Sequence, residues 1–213
     1  MVGPIFNYLT PFKWQKWNLV RFQTPADDNC LFHAICNSFF EPYKTGIFKS
    51  KKISQYDLVM SLRRDIANKL EAINPETGYT YYHSINNGNT SAFSGDVPEF
   101  SLSTMKTMLT SRTPIGYGYM EHIGNCLNKD IYIIDGNKMD IYVTDELPLT
   151  ITGQRKSIIL YYTSGHYELV GIDQHLLCPT NPFQTHFDPQ HPLIQELYSR
   201  VQTILNNAET LGS

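Results

Sequence analysis

Cys30 stands where a polar turn meets an apolar helical pattern, in the stretch Gln23-Thr24-Pro25-Ala26-Asp27-Asp28-Asn29-Cys30-Leu31-Phe32-His33-Ala34-Ile35-Cys36. Asp28 and Asn29 are the expected caps of the helix that follows. A thiol in a helix's first turn sits among N–H groups that lack intrahelical acceptors, at the positive end of the helix dipole. Both favour thiolate over thiol and raise nucleophilicity. The same N–H groups can hold the oxyanion of a tetrahedral intermediate. The plainer reading of such a cysteine is a small buried hydrophobe at the start of a core helix. Cys36, Cys126 and Cys178 take that reading.

A nucleophilic thiol needs a base, usually a histidine oriented by a third group. Of the seven histidines, His33 lies one turn along the same helix and His83 in a polar loop. His175, His186 and His191 fall in a loose C-terminal part. His166 instead opens a strand directly after the turn Thr163-Ser164-Gly165. Glu168, two residues on, shares its strand face. A carboxylate there could hold the imidazole in the required tautomer. A half-buried strand with polar residues on its solvent face fits the same periodicity equally well. Cys30 with His33, and His122 with Cys126, have spacings that could ligate zinc, but no four-ligand set emerges. No metal or other cofactor is expected.

Several elements must position these groups. Residues 18–23 read as a strand. Apolar or small residues at 31, 34, 35, 38 and 39 give a helix with one buried face. Residues 54–72 form a second helix, capped by Ser54 with Asp57 three residues later, and Leu58, Leu62, Ile66 and Leu70 mark its inner stripe. Residues 74–98 are rich in Asn, Ser, Thr, Gly and Pro and read as a long polar loop of the kind that forms lids or binding loops. A short helix follows over 101–111, and another over 116–128. Strands are expected at 131–135, 140–145, 157–162 and 166–172. Residues 178–192 form a Pro-rich strap. Leu193, Ile194, Leu197, Val201, Ile204 and Leu205 then make the apolar face of a final helix. That helix packs back on the domain or, alternatively, meets a partner.

The 213 residues suit one large domain, and 41% hydrophobic against 17% charged residues is ordinary for a chain with a core. The net charge of −3 offers no strong basic field for nucleic acid or anionic lipid. No run of about 18 apolar residues suggests a membrane span. The first residues lack the pattern of a signal peptide. Free thiols and a cytoplasmic setting are therefore expected.

Taken together, the two segments resemble the ovarian tumour (OTU) family of cysteine proteases. The nucleophile motif stands as Asp27-Asp28-Asn29-Cys30-Leu31-Phe32-His33-Ala34. The histidine motif stands as Ile158-Ile159-Leu160-Tyr161-Tyr162, a turn, then His166-Tyr167-Glu168. Gly118-Tyr119-Met120-Glu121 before Ile131-Tyr132-Ile133-Ile134 is similar to the family's helix and central strand. Two positions depart from the pattern: Asp28 stands for the family's glycine, and Glu168 for its Asp or Asn.

The resemblance implies an α+β fold, α/β/α sandwich-like, of papain-like OTU architecture, with a small central sheet flanked by helices. It implies an N-terminal extension over 1–17, a catalytic domain over 18–173, and a C-terminal strap and helix over 174–213. It further implies a deubiquitinase cutting after the ubiquitin C-terminus, with ubiquitin or its chains as partner. Cys30 would be the nucleophile and His166 the base. Glu168 would orient the histidine, and Asp27 would order the loop. Backbone N–H groups around Asp28 and Asn29 would hold the oxyanion. Tyr162 and Tyr167 would wall the groove for the ubiquitin tail. Two alternatives remain open: an impaired OTU fold that only binds ubiquitin, and a protease of a viral polyprotein. A composition rich in Asn, Ile, Tyr and Lys suggests an AT-rich genome, as in host-directed bacterial or viral effectors.

Overall fold

Two strands rich in β-branched and aromatic residues, Lys156–Thr163 and His166–Asp173, run antiparallel across a two-residue turn. Ser164 and Gly165 both have left-handed backbone angles, φ 49° and 82°, as a type I′ hairpin turn demands. Gly165 meets that demand without steric cost.

The computed structural model describes residues 6–9, 14–85, 100–143, 151–175 and 183–211. Cys178, loop residues 86–98 and residues 144–145 of the expected strand lie outside them. In chain order the strands are β1 (Phe6–Tyr8), β2 (Leu19–Phe22), β3 (Ile47–Phe48), β4 (Lys51–Lys52), β5 (Lys129–Asp135), β6 (Asp140–Ile141), β7 (Lys156–Thr163), β8 (His166–Asp173) and β9 (Phe183–Gln184). The α-helices are α1 (Cys30–Phe39), α2 (Glu41–Thr45), α3 (Gln55–Lys69), α4 (Tyr81–Ser84), α5 (Leu102–Thr110), α6 (Met120–Leu127) and α7 (Pro192–Leu211).

One sheet runs in the order β1-β2-β8-β7-β5-β6, with β9 added to β8 and β3-β4 forming a separate hairpin. Only the β5–β7 pairing is parallel among the described strands. Alternation along the strands divides the core in two. Ile131, Ile133, Ile158, Leu160 and Leu169 face α1, α3, α5 and α6. Tyr132, Ile134, Ile159, Tyr161 and Val170 face Trp14 and the Leu193, Leu197 and Val201 stripe of α7. This is the expected α+β arrangement of helices on both sides of a central sheet.

Local chemistry accounts for most element ends. Ser54 accepts from the Asp57 N–H at 3.0 Å, so α3 starts where its capping residue lies. Its buried stripe is rotated from the expected one: Val59 and Arg63 are buried, whereas Leu62 is only half-buried. Helix α1 was expected to bury one face, yet Cys30 through Cys36 are all buried. The reason is its position, with β8 on one side and α2 and α3 on the other. Part of the expected polar loop is ordered locally, by an Ile73–Thr80 bridge and by α4. In the C-terminal strap, Phe187 is buried and pairs with Ser157 through two backbone hydrogen bonds of 2.8 and 3.0 Å. Among the described residues no helix is long and apolar enough to cross a membrane.

Candidate active site

The turn before α1 is built around Asp27. Its carbonyl accepts the Cys30 N–H at 3.2 Å, and its Oδ1 accepts the Asn29 N–H at 3.0 Å, an Asx turn. Oδ2 faces His33 Nε2 at 3.2 Å and Asn29 Nδ2 at 3.4 Å. The other His33 nitrogen lies 2.7 Å from the Tyr43 hydroxyl. A neutral ring satisfies both contacts: Nε2–H donates to the carboxylate and Nδ1 accepts from Tyr43. Burial costs the Asp27 charge most, but the Asn29 N–H and His33 outweigh it and hold the carboxyl below its usual range. Burial also pushes His33 down, against the pull of Asp27.

Asn29 is the N-cap of α1, yet its side chain makes no cap bond. It is held instead by Arg63, whose Nη1 donates to Asn29 Oδ1 at 2.8 Å. Arg63 is fully buried. Nε donates to the carbonyl of Leu109 at 3.0 Å, and Nη2 to those of Met108 at 2.7 Å and Thr113 at 2.8 Å, at the C-terminal end of α5. Its guanidinium also lies over the Phe32 ring at 4.8 Å. Asp28 does not fall among the left-handed residues. An aspartate in place of glycine therefore brings no backbone strain to this turn.

The strand carrying His166 is seated directly on the thiol: the Tyr167 N–H donates to Cys30 Sγ at 3.4 Å. Cys30 is 8% exposed. Burial pushes its thiol pKa up; the N–H groups of Tyr167 and Leu31 oppose the shift, and the Asp27 charge adds to it. The N–H groups of β8 and of the first turn of α1 thus offset part of the desolvation without overcoming it.

The His166 ring and the Glu168 carboxylate go to different partners. His166 Nε2 lies 3.2 Å from Thr24 Oγ1. Glu168 Oε2 lies 3.2 Å from Arg21 Nη1, without the alignment of a hydrogen bond. Register explains this pairing. Arg21 sits opposite Val170 on β2, which makes it the diagonal cross-strand neighbour of Glu168 on the same face. Arg21 also stacks on Tyr161 at 4.6 Å.

Beside the Ser164–Gly165 turn opens a cleft of about 300 Å³, walled by Tyr117, Tyr142, Tyr162 and Tyr167, with Ile115 and Gly165 among its other lining residues. The Tyr162 and Tyr167 rings lie 4.8 Å apart. Tyr162 and Tyr167 thus share one cleft, of which His166 is not a lining residue.

Thr24, Arg63, Tyr43 and Arg21 were not singled out from the sequence. Arg63 left a signal there, since it falls four residues after Val59 and three before Ile66, on the inner side of an amphipathic helix. Thr24 left none, because its contact with His166 is made only when β2 and β8 pair. Among the described residues no cluster of three or more His, Cys, Asp or Glu could hold a metal ion. His122 and Cys126 do meet, with Sγ 3.5 Å from Nε2. Desolvation pushes the histidine down to about 4 and the thiol up to about 12, which marks a buried neutral pair.

No family model and no curated protein matches the chain. Solved structures do. An OTU domain in complex with ubiquitin superposes with a TM-score of 0.52 at 17% identity, covering 91% of this chain and 88% of that one. The OTU domain of OTUD1 gives 0.46 at 19% identity over 76% and 91%. The viral OTU domain protease of Farallon virus gives 0.45 at 12% identity over 81% and 95%. The likeness to the first, over nine-tenths of the chain, is one of architecture, and the fold of this chain is OTU-like.

Proposed function

We propose that the protein is a thiol-dependent deubiquitinase with Cys30 as nucleophile. The observation that carries this reading is the junction of α1 and β8, where the residue after His166 donates its N–H to the Cys30 sulfur at 3.4 Å. A thiol at a helix N-terminus beside a histidine strand, on an OTU-like scaffold, is suited to acyl transfer. The solved structure most of the chain superposes on holds ubiquitin, so ubiquitin is the first substrate to test.

In this mechanism His166 takes the Cys30 proton and the sulfur attacks the carbonyl carbon of the ubiquitin C-terminal glycine. The carbonyl electrons move to oxygen. The Asp28 N–H has no acceptor among the described residues and supplies one oxyanion donor. The Asn29 N–H is committed to Asp27 Oδ1, and would serve only by leaving it. As the intermediate collapses, His166 gives the proton to the departing lysine amine. Water, deprotonated by His166, then hydrolyses the thioester and restores the thiol. Asp27 orders the turn through its contacts with Asn29, Cys30 and His33. The tyrosine cleft takes the slim glycine tail, and α5 with the 74–85 segment offers surface for the body of ubiquitin.

The test is intact mass after mixing the protein with ubiquitin bearing a C-terminal electrophile, beside Cys30→Ala. One adduct on the unaltered chain alone is expected. Binding without an adduct would replace this reading with that of a ubiquitin-binding module. Neither adduct nor binding would point to another acyl substrate.

A further inference from the structure

His166 and Glu168 share a strand face, but the carboxylate is turned to Arg21 at 3.2 Å. The ring instead meets the hydroxyl of Thr24, 3.2 Å from Nε2. The hydrogen-bond inventory of a threonine decides the direction of that contact. Thr24 Oγ1 carries one proton and two lone pairs. The proton is committed to the Tyr167 carbonyl at 2.6 Å. The contact with His166 therefore closes only if Oγ1 accepts and Nε2–H donates. The neutral ring is then protonated at Nε2, and Nδ1 carries its free lone pair.

We propose that Thr24 is the positioning residue of His166: its hydroxyl fixes the Nε2–H tautomer and the ring plane, leaving Nδ1 as the base for Cys30. This rests on the thiol-protease reading above for its kinetic consequence, though not for its structural content. The Tyr167 backbone joins the parts. Its carbonyl accepts from Thr24 and its N–H donates to Cys30 Sγ. The backbone of one residue thereby holds both the orienting hydroxyl and the nucleophile. A neutral acceptor also adds no second anion to a site where the Asp27 charge already disfavours the thiolate.

The experiment compares Thr24→Val, Thr24→Ser and Glu168→Gln with the unaltered full chain. Valine keeps the shape and removes the acceptor; serine keeps the acceptor. The first readout is the ¹⁵N spectrum of labelled histidine, which reports the His166 tautomer without any substrate. The expected result is a protonated Nε2 in the unaltered chain and in Thr24→Ser, and mixed tautomers in Thr24→Val. An unaltered backbone amide spectrum away from β2 and β8 shows that the valine variant is folded. The second readout is cleavage of a fluorogenic ubiquitin amide. Thr24→Val is expected to lower kcat about 10²-fold at similar KM, as for a misoriented base. Thr24→Ser should restore most of it, and Glu168→Gln should cost less than Thr24→Val. An unchanged tautomer in Thr24→Val, or a larger loss in Glu168→Gln, overturns the proposal. Mixed tautomers in Thr24→Val with no cleavage by any chain would uphold the assignment and sink the protease reading instead.

Discussion

The Tyr167 N–H points at the sulfur of Cys30 from 3.4 Å, so the histidine strand β8 docks on helix α1 through the thiol itself, the proposed nucleophile. The thiol nonetheless lies in a buried place that pushes its pKa up. Deprotonation therefore depends on a base, and alkylation can show it. At neutral pH, His166→Ala should react with iodoacetamide about tenfold more slowly than the unaltered chain, since each unit of thiol pKa is a factor of ten in thiolate. The gap should close as pH rises toward the thiol pKa and hydroxide replaces the base. Equal rates at neutral pH would mean that the helix N-terminus alone generates the thiolate.

Buried neutral histidines make stability fall toward acid. His122 Nε2–H donates to the Ile66 carbonyl over 2.9 Å in the core, and burial pushes the ring down to about 4. His33, between Asp27 and Tyr43, is pushed down as well. An unfolded histidine titrates near 6.5, so the unfolded chain takes up protons first as pH drops. Each ring's contribution is complete above about 6.5 and is lost as pH falls toward its folded value. Asp27, held below its usual range, keeps its contribution until lower pH still. Urea unfolding at pH 7, 5.5 and 4.5 should show a steady decline, and His122→Gln should flatten it. A variant with the same slope as the unaltered chain would show that His122 is protonated in the fold.

The tyrosine cleft predicts a binding effect. Tyr162 is half-buried and lies 6.1 Å from Tyr142 and 4.8 Å from Tyr167 by ring centroids. Tyr162→Ala should raise KM for a ubiquitin substrate about fivefold, the equivalent of about 1 kcal/mol of aromatic contact, with kcat less affected. A fall in kcat at constant KM would move Tyr162 from the groove to the chemistry. Tyr167 is the poorer probe, because it is 5% exposed and its loss would open the core.

What the sequence showed and hid follows from how local each interaction is. Ser54 and Asp57 mark the start of α3 by themselves, and the 157–162 and 166–172 strands announce their period-two faces. Cys30 and His166 were legible as candidates because each stands at the end of such an element. The partner of Glu168 was not, because Arg21 reaches it only through the β2–β8 register. Thr24 meets His166 across the same pairing. The all-round burial of α1 was also hidden: periodicity reports one apolar face, whereas Ser38 and His33 are buried by hydrogen bonding to Ile35 O and to Tyr43.

Arg63 ties the turn before Cys30 to the end of α5, and its loss should be felt at both. A buried guanidinium is costly unless its donors are used, and here four of its five N–H groups serve Asn29, Leu109, Met108 and Thr113. Lysine keeps the charge but cannot reproduce the planar fork. Arg63→Lys should therefore strip two or more buried acceptors and cost about 2–4 kcal/mol. Asn29→Ala removes only the contact to the turn, leaves α5 capped, and should cost less in stability while still lowering turnover. Urea midpoints at constant m-value would measure the first effect, and kcat on a fluorogenic ubiquitin amide the second. Arg63→Lys within about 0.5 kcal/mol of the unaltered chain would mean that the fork is dispensable to the fold. In that case Asn29 would have to be held by Asp27 alone, and the coupling between α5 and the nucleophile turn would be absent.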